Sequence, residues 1–132
     1  MSEDIGKLIL RLTIGGLLLL HGVHKLLNGL EPIKHMLTAH NVPALVAYGA
    51  YAGEVAAPVL LILGLLARLG GVLVVFNMIV AVLLAQSAHV LSLNGQGGYA
   101  LELEAFYLFG GLAIAFLGAG RLSVGGESGL LN

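Results

Sequence analysis

Four stretches of this chain, residues 5–27, 44–66, 69–93 and 99–117, are apolar and about as long as a bilayer is thick. Only 10% of the residues are charged and 58% are hydrophobic. A soluble domain is nearer a quarter charged, so the composition describes an integral membrane protein. Four such spans use most of the 132 residues and leave no length for a soluble domain. The expected fold is all-α: one membrane domain, residues 1–132, built as an antiparallel bundle of four transmembrane helices. The first loop should add a short interfacial helix over residues 31–40. There, Glu31-Pro32 suits a helix start, and Ile33, Met36 and Leu37 recur at helical spacing.

The breaks between spans are legible. Asn28-Gly29 ends the first, Asn41 and Pro43 introduce the second, and Ala67-Arg68 makes a tight turn into the third. Asn94-Gly95-Gln96-Gly97-Gly98 is a loop. The acidic start, Met1–Lys7, lacks the basic region of a secretory signal, so the first apolar run is expected to remain as a span. Lys7, Arg11, Arg68 and Arg121 lie on one side of this topology, and Lys25 and Lys34 on the other. Cytoplasmic loops carry the excess of Lys and Arg, which points to both termini in the cytoplasm. Tyr48, Tyr51 and Tyr99 would then sit toward the outer interface.

Inside the apolar stretches the polar residues gather toward that outer face. Glu54 stands about ten residues into its span, roughly 15 Å deep at about 1.5 Å per residue. His21 and His89 fall about 6–9 Å below the outer surface, with Gln86 one turn deeper than His89. Glu104 and Tyr107 occupy the outer half of the last span, and Lys25 shares a stripe with His21. Intramembrane ionisable groups are costly, and they mark either a functional site or a buried structural pair. The expected ligand-binding set is therefore His21, Lys25, Tyr51, Glu54, His89, Glu104 and Tyr107. Arg11, Asn77, Arg68 and Arg121 are expected to be structural, with Arg11 either snorkelling to the inner face or pairing with Asn77 at its level. Gly49-x-x-x-Gly53 should admit a close helix neighbour, as should Gly15, Gly16, Gly22, Gly110 and Gly111.

Other chemistries are set aside by what the sequence lacks. With no cysteine, disulfides, thiol catalysis, cysteine-ligated clusters and covalent haem attachment are excluded. His21, His24 and His89 with a glutamate are donors suited to zinc, copper or iron, but no ligand spacing specific to a metal or to haem is present. The net charge of −1 carries no nucleic-acid signature. Nothing in the residues alone assigns a catalytic reaction.

Three motifs resemble one family. RLTIGGLLLLHGVHKL, GEVAAPVLLILGLLARLGG and ELEAFYLFGGLAIAFLGAGRLSVGG are similar, in order, to the first, second and last helix signatures of the DoxX family of small four-helix membrane proteins. The resemblance would carry over Arg11, His21, Lys25, Glu54, Arg68, Glu104 and Arg121 as the recurrent polar residues, with Glu102 competing for the position of Glu104. The family's last motif ends Ser-Leu-Asp, and here Ser123-Val124-Gly125 lacks that acid. The namesakes are associated with a thiosulfate:quinone oxidoreductase, and other members with membrane redox or stress-response complexes. The resemblance implies a membrane subunit of such a system, binding a quinone-like or other small lipophilic ligand, with a membrane or periplasmic redox partner or a second copy of itself. The rival expectations are a non-enzymatic scaffold whose polar cluster only fixes helix packing, and an oligomeric proton-coupled transporter.

Overall fold

A computed structural model describes residues 1–127 and 129–132, with the side chains of Ala85 and Gln86 outside the described set. Helix α1 spans Ser2–Asn28, α2 spans Glu31–Ala39, and α3 spans Ala44–Leu63. Helix α4 spans Ala67–Ala81 and α5 spans Glu102–Leu117. No strand forms among the described residues, where a single isolated bridge joins Leu93 to Tyr99. Three helical segments are long and apolar enough to cross a membrane: Ser2–Asn28, Ala44–Leu63 and Ala67–Leu84. Leu20, Leu83 and Phe106 point outward from three different helices. A helix apolar all round suits a hydrocarbon surrounding.

The long helices pack against one another through glycine contacts. Gly22 meets Glu54 while Gly15 meets Pro58 and Leu61, which sets α1 against α3. Gly53 meets Asn77 while Gly70 meets Leu61, setting α3 against α4. Arg68 reaches Ala115 and Phe116 while Val74 meets Gly111, setting α4 against α5. Ile14 fills the space at Gly110 and closes α5 onto α1. The core between them is Ile14, Leu18, Leu61, Val74, Met78, Tyr107 and Ile114. Of the Gly49-x-x-x-Gly53 motif only Gly53 is used, because Gly49 faces open space.

The glycine contacts set one stability test. A Cβ on Gly22 would run into the Glu54 carbonyl, whereas one on Gly16 would meet nothing. Gly22→Ala should destabilise the protein by about 1–3 kcal/mol through overpacking. Gly16→Ala should be neutral or gain up to about 1 kcal/mol from helix propensity. Denaturation in mixed detergent micelles compares them directly.

Helix ends follow local chemistry. Gly29 takes a left-handed φ of 82° after Asn28, and Pro32 stands in the first turn of α2. Lys34 then fastens α2 to the start of α3 by donating to the Tyr48 hydroxyl at 3.2 Å, a contact that raises the ammonium above its ordinary pKa. The second span stops at Leu63 rather than residue 66, because Gly64 and Leu66 both adopt left-handed backbone, φ 70° and 50°.

The third span departs most from expectation. It starts at Ala67, earlier than residue 69, and ends well before residue 93. Val82–Gln86 widens into a π turn, Ser87–His89 tightens into a 3-10 turn, and the chain then enters a loop. The Asn94 side chain organises that loop by accepting from the N–H groups of Gln96 and Gly98 at 2.9 and 3.0 Å. An Asn that bonds its own neighbours competes with helix continuation. The last helix accordingly begins at Glu102, not at residue 99, and is 16 residues long.

The polar tail folds back as well. Asn132 Oδ1 accepts from the Ala67 N–H at 2.9 Å, supplying the first turn of α4 with a cap from a residue distant in sequence. The Arg68 N–H donates to the Leu131 carbonyl at 2.9 Å beside it.

Candidate functional site

Glu54 lies in a π turn, Ala52–Ala56, within α3. Pro58 has no N–H to offer the carbonyl of Glu54 four residues back. Gly22 packs directly on that carbonyl from α1, which a side chain would prevent. Single π turns inside α-helices recur at functional sites. The turn and the missing side chain at Gly22 bring α1 and α3 together where both carry a charge.

That charge is paired. The Lys25 ammonium donates to the Glu54 carboxylate across the two helices. The partners differ in access: 8% of the Glu54 side chain is exposed but 27% of Lys25. The open side of the pair faces a cavity of about 590 Å³ enclosed by the end of α1, α2, α3 and α4. Its walls are mainly apolar, with Ile33 and Met36 from α2 opposite Leu73, Phe76 and Val80 from α4. The polar groups on them are His24, Asn28, Asn77 and the pair itself. Asn28 Nδ2 lies 3.1 Å from His24 Nδ1, and the same amide donates to the His24 carbonyl at 2.9 Å. A neutral His24 that accepts at Nδ1 carries its proton on Nε2. Ligand sites are commonly clefts of this size, apolar with a few convergent polar groups.

The structure brings together only part of the set expected from sequence. Lys25 and Glu54 meet in the cavity wall. His21 and Tyr107 meet each other, edge to face, with ring centroids 6.1 Å apart. Tyr107 is buried, but neither ring lines the cavity. Tyr51 packs instead with Leu30, Leu37 and Ala47 and edges onto Tyr48. His89 is exposed in the 3-10 turn beyond α4, because the helix widens and stops before reaching it. Glu104 is half-buried and Glu102 exposed, and neither lines the cavity. The Gln86 side chain lies outside the described residues.

The expected structural residues are also rearranged. Arg11 neither snorkels nor meets Asn77. It is buried and donates to the carbonyls of Leu61, at 2.9 Å, and Leu122. Arg68 donates to the last carbonyls of α5, Ala115 at 3.0 Å and Phe116 at 2.6 Å. Arg121 stays exposed, 3.6 Å from Glu127. Asn77 belongs to the cavity rather than to an inner pair. With α4 starting at Ala67, it stands about 15 Å along the helix. Sequence reasoning missed it because the third span was drawn too long and shifted toward residue 93. His24 and Asn28 are four apart in sequence, a spacing that sets them on one helix face.

The family model described as DoxX matches residues 6–87, more than half of the chain. The chain belongs to the DoxX family. Its membership and its three apolar helices make it a multi-pass membrane protein. A relative from Bacillus subtilis (strain 168), whose name is "Putative oxidoreductase CatD", is 30% identical over 107 residues, covering 81% of this chain and 79% of its own. No solved structure matches the chain. The match to the DoxX model takes in α1 through α4, and so every residue that lines the cavity.

Proposed function

We propose that this DoxX protein is a membrane component of a redox or stress-response system and holds a small lipophilic, quinone-like ligand at the Lys25–Glu54 pair. One observation carries the reading: a buried carboxylate whose cationic partner opens onto a mainly apolar cavity about 15 Å deep in α3. An ammonium there donates to a carbonyl oxygen, the carboxylate accepts from a hydroxyl, and the apolar walls take the body of the ligand. The oxidoreductase in the relative's name fits the same chemical class. On this reading α5 is the fourth span of an antiparallel bundle, and residues 1–132 form one domain. Arg68, Arg121 and Lys7 mark a cytoplasmic side of an inner membrane, opposite Lys34. The cavity then opens toward the outer half, where a membrane or periplasmic redox partner has access.

Solvent extraction of protein purified in mild detergent, followed by titration with a short-chain 1,4-benzoquinone, tests the reading. Bound or titratable quinone is expected, and Glu54→Gln should fold yet lose it. A folded wild type that carries none and binds none would overturn the proposal. The scaffold reading has its own support, since the pair ties α1 to α3 with Gly22 packed on the Glu54 carbonyl. It predicts the opposite for Glu54→Gln: weakened assembly with any ligand binding unchanged.

A further inference from the structure

We infer that Asn77 is a second polar contact for the ligand, and that the cavity selects lipophiles carrying two oxygen atoms rather than one. The inference rests on the proposed ligand site and adds a residue and a specificity to it. The Asn77 side chain has no hydrogen-bond partner among the described residues, although it stands about 15 Å along α4 and lines the cavity. An amide in hydrocarbon without a partner is costly, and polar groups at that depth ordinarily bond a neighbouring helix.

The neighbouring helix offers no such partner, because it presents Gly53. The Asn77 amide lies against that glycine, in space that a Cβ there would occupy. The missing side chain therefore leaves room for the amide one residue before Glu54, without giving it a bond. Glu54 is already bonded to Lys25. Besides His24 and Asn28 at the end of α1, the cavity wall thus carries two polar poles, the ion pair contributed by α1 and α3 and the amide contributed by α4, with apolar side chains of α2 and α4 around them.

Both poles can donate and accept. Lys25 donates while Glu54 accepts, and Asn77 donates through Nδ2 while its Oδ1 accepts. A ligand with carbonyl oxygens at both poles takes hydrogen bonds from Lys25 and Asn77. The same ligand reduced by two electrons and two protons presents hydroxyls, and donates to Glu54 and Asn77 Oδ1. One set of side chains therefore suits both oxidation states of a dicarbonyl–diol couple. A lipophile with one oxygen leaves one pole empty.

Binding measurements in detergent micelles decide this with three probes: a short-chain 1,4-benzoquinone, its hydroquinone, and an analogue lacking the second ring oxygen. Wild type should bind the two-oxygen probes about 3- to 10-fold more tightly than the one-oxygen analogue, the worth of one neutral hydrogen bond. Asn77→Leu, which removes the unpaired amide at similar size, should erase that preference and leave the analogue's affinity unchanged. Equal binding of all three probes by wild type overturns the inference, and does so without any variant. So does an Asn77→Leu protein that keeps the preference. In both cases loss of binding in Glu54→Gln would leave the proposed site standing. Wild type that binds none of the probes would instead remove the proposed site itself.

Discussion

Replacing Arg11 by methionine should destabilise the protein by about 3–5 kcal/mol, the value of two hydrogen bonds from a charged donor. The Arg11 side chain is among the largest fully buried ones, at 1% exposure, and among the described residues it pairs with no carboxylate. Its partners are backbone oxygens. Leu61 belongs to the final turn of α3, whose carbonyls lack helical donors beyond the left-handed Gly64, and Leu122 belongs to the tail. A cation at a helix C-terminus is further favoured by the macrodipole. Methionine fills much of the volume but strands both carbonyls in a dry interior. Lysine keeps the charge yet lacks the planar fork that reaches two oxygens in different segments, so Arg11→Lys should recover about half the loss at most. Unfolding in mixed micelles measures both variants. Because the contacts lie at the opposite end of α3 from the cavity, ligand affinity in folded Arg11→Lys protein should stay at the wild-type value.

Arg11 also shows where sequence reasoning runs short. Its depth was legible from α1 alone, since the span begins near residue 5 and the arginine falls one and a half turns inside. Its partners were not, because carbonyl acceptors leave no trace in side-chain identity. The same limit hid the role of Asn132, whose cap on Ala67 joins residues 65 apart. By contrast, α2 was legible from Glu31-Pro32 and a short amphipathic period, and it forms at Glu31–Ala39.

The third span failed for a different reason. Val82 to Leu93 stays apolar on average despite Gln86, Ser87, His89 and Ser92, so hydropathy alone runs the helix on to residue 93. The backbone instead widens at Val82–Gln86 and turns at Ser87, and an Asn94-centred loop follows. With these bounds Asn77 lines the cavity and His89 lies beyond the helix, away from it. Glu54 escaped the error because a lone carboxylate mid-span announces itself whatever the exact boundaries. Lys25 was placed with it by helix topology, and the structure joins the two.

Breaking that pair from the lysine side should have the other large effect. Lys25→Met leaves the Glu54 carboxylate, 8% exposed, without its cation, and removing one partner of a buried pair costs about 3–5 kcal/mol. Glu54→Gln should cost less, because the remaining ammonium is 27% exposed, borders the cavity and can still bond an amide oxygen. The double variant Lys25→Met, Glu54→Met should recover stability to within about 1 kcal/mol of wild type, since desolvating two charges offsets most of what their attraction supplies. A double-mutant cycle on micellar unfolding yields the coupling energy. The cycle reports on function as well as packing. A double variant as stable as wild type but unable to bind quinone would mean that helix association does not require the pair, and that its charges serve the ligand. Recovery of stability together with undiminished binding would instead sever the pair from the site. Failure of the double variant to recover would make the ion pair a structural requirement of the α1–α3 contact.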